Sequence, residues 1–232
     1  MECCAGNFLE LLDNRTSHPS LGLVAKKKTL TAIERDRWQR ALFALQQTSF
    51  DAADLVVLDE FGANIDMQRA YAWAPKGERA LASAPRNTPI NTTTIAAMTP
   101  EGMGPSLIIS GGVDQATFAA YLEQVLAPSL RAGQIVLVDN LSAHKSARAQ
   151  EIIAQRGCSL VYLPAYSPDY SPIELAIGKI KVELRRLAAR SREALEEGIG
   201  KALVQVTAAE ARAFFLHCGY RFLPDLDQWF CS

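Results

Sequence analysis

Two aspartates and a glutamate are placed so that a sheet and a helix could bring them together. Leu55-Val56-Val57-Leu58 is an apolar run that ends in Asp59-Glu60, and Ile135-Val136-Leu137-Val138 is a second that ends in Asp139-Asn140. Short runs of β-branched residues and leucine, bounded by turn formers, read as buried strands. A buried strand that stops on Asp presents a carboxylate at the sheet edge, where open α/β sheets bind ligands. Glu174 follows Asp139 with 34 residues between. Carboxylates converging at one sheet end repel and raise each other's pKa unless a cation sits between them. Oxygen ligands without a Cys or His cluster suit magnesium or manganese rather than zinc.

Each member also has a plainer reading. Asp59 and Asp139 could be turn or cap residues, with Asn140 starting an Asx-type turn. Neighbours on a strand point to opposite faces, so Glu60 turns away from whatever Asp59 meets. Ser171-Pro172-Ile173-Glu174 is S-x-x-E with proline at the first helical position, a capping-box signature. Local sequence alone favours the cap. The helix beyond shifts the balance. Ile173, Ile177, Ile180, Leu184 and Leu187 form one apolar stripe, and Glu174, Gly178, Lys181 and Arg185 follow one another on an adjacent face. A carboxylate heading a small, basic face suits a metal held beside a phosphodiester backbone.

The elements that must position these residues follow in order. Thr31 with Glu34 predicts a capped amphipathic helix over 31–47, with Trp38, Leu42 and Leu45 committed to packing. Strands are expected at 54–59, 69–73, 92–98, 107–109, 135–139 and 160–163. Trp73 reads as core or hairpin packing rather than a base-stacking platform. Helical spacing covers 114–130, 146–155, 171–189, about 192–205, and 207–217. The pattern predicts an α/β fold, a mixed sheet of about five strands with helices on both faces. Residues 1–48 read as a linker remnant with one helix, 49–190 as the main domain, and 191–232 as a helical extension packed on it.

Composition narrows the class. A chain of 232 residues, 49% hydrophobic, can bury a sizeable core. There is no run of 18 apolar residues to span a membrane, and Met1 to Leu12 has no secretory pattern. Cys3, Cys4, Cys158, Cys218 and Cys231 form no C-x-x-C pair, which fits a reducing cytoplasm. Net charge is −1, against a generic basic nucleic-acid binder. Positive charge is nevertheless concentrated over 175–192, and Lys26-Lys27-Lys28 is either a solvated linker or a phosphate contact.

Several of these stretches together resemble the DDE transposases of bacterial insertion sequences in the mariner-like superfamily. They are Leu58-Asp59-Glu60, Trp73-Ala74-Pro75-Lys76-Gly77, Val138-Asp139-Asn140 with His144-Lys145, and Leu163-Pro164-Ala165-Tyr166-Ser167-Pro168-Asp169. Ser171-Pro172-Ile173-Glu174, Lys179-Ile180-Lys181 and Phe214-Phe215-Leu216-His217-Cys218-Gly219-Tyr220 complete the set. The resemblance runs from about residue 20 to 222. It implies a ribonuclease H-like fold and two magnesium ions, replaceable by manganese, on Asp59, Asp139 and Glu174. It also implies cleavage of DNA at element ends, strand transfer into target DNA, and a homodimer in the active complex. Lys145, Lys179, Lys181 and Arg185 are the expected DNA contacts. His144 reads either as a structural residue at a helix entry or as a further phosphate contact. Ser171 stands where the family usually has Asn, and Ile177 where a bulky aromatic is common. The family's helix-turn-helix domain is not found before residue 47, so a longer product of the same locus is expected to supply it. The other classes left open are a different two-metal nuclease and a non-enzymatic remnant that binds DNA or full-length transposase.

Overall fold

The computed structural model describes residues 32–85, 91–141 and 144–223. The run at Lys26 to Lys28 and the expected cap at Thr31 lie outside these residues. Of the described residues, those from Glu34 onward form one compact unit around a sheet of five strands, β1 (Leu55–Ala63), β2 (Thr92–Thr99), β3 (Gly102–Ser110), β4 (Ile135–Val138) and β5 (Ser159–Tyr162). Their order in the sheet is β3-β2-β1-β4-β5. The first three form an antiparallel meander, and β1, β4 and β5 run parallel. This is the expected ribonuclease H-like mixed sheet.

Central position explains the continuous apolar runs: Leu55 to Leu58 and Val136 to Val138 are all buried, because helices cover both sides. Leu55, Val57, Phe61, Leu137 and Ala63 face α4 (Pro172–Leu187), α5 (Arg192–Val204) and α6 (Ala208–His217). Val56, Leu58, Val136 and Val138 face α2 (Gln115–Tyr121) and α3 (Ala147–Gln155). The α4 stripe of Ile173, Ile177, Ile180 and Leu184 is buried as expected, whereas Leu187 is 40% exposed. Truncating a buried member such as Ile180 to Ala would cost about 2–5 kcal/mol. The run expected over 114–130 is helical but composite. After α2 comes a π turn, Leu122–Leu126, in which the Ala127 N–H reaches back to the Leu122 carbonyl, and then a 3₁₀ turn, Ala127–Ser129. Pro128 has no N–H to continue an α-helix.

Expectations for two segments are corrected. Helix α1 (Arg37–Gln47) starts at Asp36, whose carboxylate accepts from the Trp38 and Gln39 amides, and not at Thr31. It turns Phe43 and Gln47 inward and leaves Trp38, Leu42 and Leu45 exposed. The face was chosen by partners distant in sequence. Arg40 pairs with Asp169, and the Gln47 amide donates to the Cys218 carbonyl. The stretch 69–73 is not a strand, and Trp73 is fully exposed rather than packed. Ala63 pairs directly with Thr92, and among the described residues 64–85 pair with no strand of the sheet. The turn at Ala74-Pro75-Lys76-Gly77 does form, with the Glu78 amide donating to the Pro75 carbonyl and Gly77 at φ 91°. Arg190 anchors the base of this excursion by donating to the Ile65 and Met67 carbonyls.

Candidate active site

Asp59 is not the end of its strand, as the apolar run suggested, because β1 continues to Ala63 against β2. What stops short of it is the pairing with β4, which registers Leu55 with Ile135, Val56 with Val136 and Val57 with Leu137. Extending that register brings Asp59 level with Asp139, just beyond the last residue of β4. The two carboxylates therefore sit side by side at the carboxyl ends of parallel strands, where backbone pairing has opened. The Glu60 amide donates to Asp59 Oδ1 at 2.7 Å. Burial, then the charges of Glu174 and Asp139, nevertheless push the Asp59 carboxyl up to about 7.

Asp139 uses one oxygen for two neighbours. Its Oδ1 accepts from the Leu141 amide at 3.2 Å, so the Asx-type turn begins at Asp139 itself rather than at Asn140. The same oxygen lies 2.5 Å from His144 Nδ1. On the other side of the ring, Nε2 lies 2.8 Å from Glu60 Oε1. The imidazole packs on Phe118 with centroids 4.2 Å apart, and the His144 carbonyl accepts from the Tyr162 hydroxyl at 3.1 Å. Burial acts to lower the His144 pKa, but the hydrogen bonds to Asp139 and Glu60 outweigh it and hold the ring at about 9. His144 is 2% exposed and its ring lies between Asp139 and Glu60, in line with the structural one of its two readings rather than the phosphate contact.

Glu174 stands in the first turn of α4. The capping box foreseen for it does not form. Ser171 is buried and makes no side-chain cap bond, and only its carbonyl accepts from the Glu174 amide, at 3.2 Å. The Glu174 side chain is exposed and shares with Asp59 and Asp139 a cleft of about 420 Å³. The 163–171 loop closes the cleft's other side, with Tyr166 at φ 55°, a left-handed conformation uncommon outside glycine. Beyond it, Asp169 is held by Arg35 and by both ends of the Arg40 guanidinium. Among the described residues no three acidic, His or Cys side chains close tightly around an ion-sized space. The donor set itself fits hard divalent cations, because all three side chains offer only oxygen and their mutual repulsion is evident at Asp59.

Of the expected DNA contacts, Lys145, Lys181 and Arg185 make no ion pair among the described residues, and Lys145 and Arg185 are exposed. Lys179 is different. Its ammonium lies 2.6 Å from both Glu210 carboxylate oxygens and donates to the Gln205 carbonyl, tying α4 to α6. Sequence reasoning missed the part played by Glu60, set aside as facing the other side of the sheet. It does face the α2–α3 side, yet reaches Asp139 through His144. The usable signal was a histidine five residues past Asp139 with an acid directly after Asp59.

The family model described as DDE superfamily endonuclease matches residues 54–196. No curated protein matches this chain. Solved structures with the same fold include the Mos1 strand transfer complex, at 16% identity and a TM-score of 0.63 over 86% of this chain and 64% of that one. The Mos1 transposase paired-end complex with left transposon end gives 16% and 0.64 over 88% and 69%. The catalytic domain of Mos1 mariner transposase gives 14% and 0.54 over 82% and 92%. The chain thus spans about two-thirds of the longer Mos1 chains and most of the catalytic-domain one.

Proposed function

The chain belongs to the DDE superfamily endonucleases, and on that footing we propose that it cuts DNA at the ends of a mobile element and joins those ends to target DNA. The observation that carries this reading is the shared cleft of Asp59, Asp139 and Glu174, with the Asp59 carboxyl pushed up to about 7 by burial and by its two neighbours. Those three carboxylates would hold two magnesium ions, or manganese in their place, supplying Lewis-acid activation of the attacking oxygen and charge relief at the leaving one.

In the first step water attacks an end phosphodiester and frees a 3′-hydroxyl. In the second that hydroxyl attacks a target phosphodiester, so one bond at phosphorus forms as another breaks. Lys181 and Arg185, with Lys145 beside His144 in sequence, would hold the strand through its phosphates without reading sequence. Partners under this reading are element-end and target DNA and a second copy of the chain, in the cytoplasm. No helix among the described residues is long and apolar enough to cross a membrane.

Cleavage and joining of a labelled element end test the reading. Magnesium or manganese should support both steps and zinc should not. Asp59→Ala, Asp139→Ala and Glu174→Ala should each abolish them while leaving the circular dichroism spectrum unchanged. Cleavage without joining would favour a different two-metal nuclease. Full activity in excess chelator would remove the mechanism.

A further inference from the structure

We infer that His144 and Glu60 are positioning residues that fix the Asp139 carboxylate in the orientation needed to bind a divalent cation. The inference rests on the proposed reading of Asp139 as a ligand and adds two residues to it. A carboxylate just past a strand end, unpaired with the next strand, would ordinarily sample several rotamers and lose that freedom only on binding. Here that freedom is restricted. Asp139 Oδ1 accepts from the Leu141 amide and has His144 Nδ1, a buried nitrogen with no other partner, at 2.5 Å, which leaves Oδ2 as the uncommitted oxygen.

The bridge is itself held from three directions. Phe118 of α2 stacks on the ring, the Tyr162 hydroxyl of β5 holds the backbone carbonyl, and Glu60 of β1 takes Nε2. None of these can shift without disturbing a buried element. Glu60 acts by geometry: its carboxylate fixes the far side of the ring and so the side that meets Asp139. Because β1 carries Asp59 toward the cleft and Glu60 away from it, one strand positions both aspartates, one directly and one through the histidine.

Manganese binding by calorimetry, alongside cleavage across a range of manganese concentrations, tests this. Asn places a donor near the position of Nδ1 and Gln near that of Nε2. His144→Asn, which keeps the contact with Asp139 but not the one with Glu60, should therefore lose only several-fold in manganese affinity, while His144→Gln should lose about 10–100-fold, the range seen when a group supporting a metal ligand is removed. Cleavage by His144→Gln should recover at high manganese, showing a loss of affinity rather than of turnover. Glu60→Ala removes the group that holds Nε2 and should weaken manganese binding by several-fold; it carries the test should the His144 variants fail to fold. Asp139→Ala separates the two readings. If it loses manganese binding while His144→Gln and Glu60→Ala keep the parent's affinity, the positioning inference is overturned and the ligand reading stands. If Asp139→Ala itself binds manganese like the parent, both fall.

Discussion

Asp59 stands level with Asp139 on the neighbouring parallel strand, and the hydrogen-bonded register between their strands ends at Val57 and Leu137, two residues short of both. The sheet thus juxtaposes two carboxylates where β1 and β4 no longer pair, while β1 is still held by β2.

That arrangement predicts a trade of stability for function. With the Asp59 carboxyl raised from 3.8 to about 7, the folded chain keeps a proton that the unfolded chain has released over that interval. Stability must fall as pH rises through the interval, and the penalty is complete above pH 7. Asp59→Asn removes the penalty. The metal-free variant should melt several degrees above the parent at pH 8 and show no such advantage near pH 4. Manganese should raise the parent's melting temperature by mass action and leave the variant's nearly unchanged. Thermal melts at the two pH values, with and without manganese, check the sign; a lower melting temperature for Asp59→Asn at pH 8 would contradict it.

Phosphate contacts should divide along the exposed face of α4. Lys181→Glu and Arg185→Glu should weaken DNA binding alike for all sequences, each lowering the slope of log affinity against log salt by about one unit. Lys179→Ala should leave that slope unchanged, because its ammonium is committed to Glu210. Titrations at several salt concentrations separate the three. An equal drop for Lys179→Ala would show that its ion pair opens to DNA.

The central elements were legible because burial on both sides writes a continuous apolar run, and Leu55 to Leu58 and Ile135 to Val138 are such runs. The aspartates following them marked the site for the same reason. The inward face of α1 was not legible. Its exposed side carries Trp38, Leu42 and Leu45, and the face that packs was set by Arg40 meeting Asp169, 129 residues away. Residues 69–73 have strand-like composition but no strand to pair with, a fact of topology rather than of local pattern. Glu174 misled locally, since S-x-x-E is a capping box only if the serine hydroxyl turns toward the helix, and the buried Ser171 makes no such bond.

The Arg40–Asp169 pair should matter to the site beyond its own small contribution to stability. Arg40 Nη2 lies 2.6 Å from Asp169 Oδ2, and its guanidinium stacks 4.5 Å from the Tyr170 ring centroid, one residue before the α4 cap. Arg40→Ala removes both contacts and loosens the loop that delivers Glu174. Partly exposed ion pairs of this kind contribute about 1 kcal/mol or less, so the melting temperature should fall only slightly. Cleavage should fall further than stability does, and Arg40→Lys should restore little, because an ammonium can neither grip two oxygens nor stack as a plane. Parallel melts and cleavage rates decide; equal losses in both would reduce the pair to an ordinary surface bridge.

Lys179 and Glu210 yield the last prediction, which concerns acid. The hydrogen bond from Lys179 and the backbone and hydroxyl donors of Thr207 hold the Glu210 carboxyl down at about 2, well below its ordinary 4.5. A carboxylate whose pKa is depressed in the folded state stabilises it fully above the unfolded value and loses that contribution as pH falls through the folded one. The Lys179–Glu210 tie should therefore act in full at neutral pH, weaken from pH 4.5 downward, and vanish near pH 2. Glu210→Gln keeps an acceptor for the Thr207 amide but loses the charge, so it should melt below the parent at pH 7, with a gap that narrows steadily over that acidic window. Because the pair is solvent-accessible, 1 M salt should narrow the gap at pH 7 as well. Melting curves from pH 7 to pH 2 measure the gap directly, and one that stayed constant across the window would mean that α6 is held to α4 by its buried Ala211 and Phe215 alone.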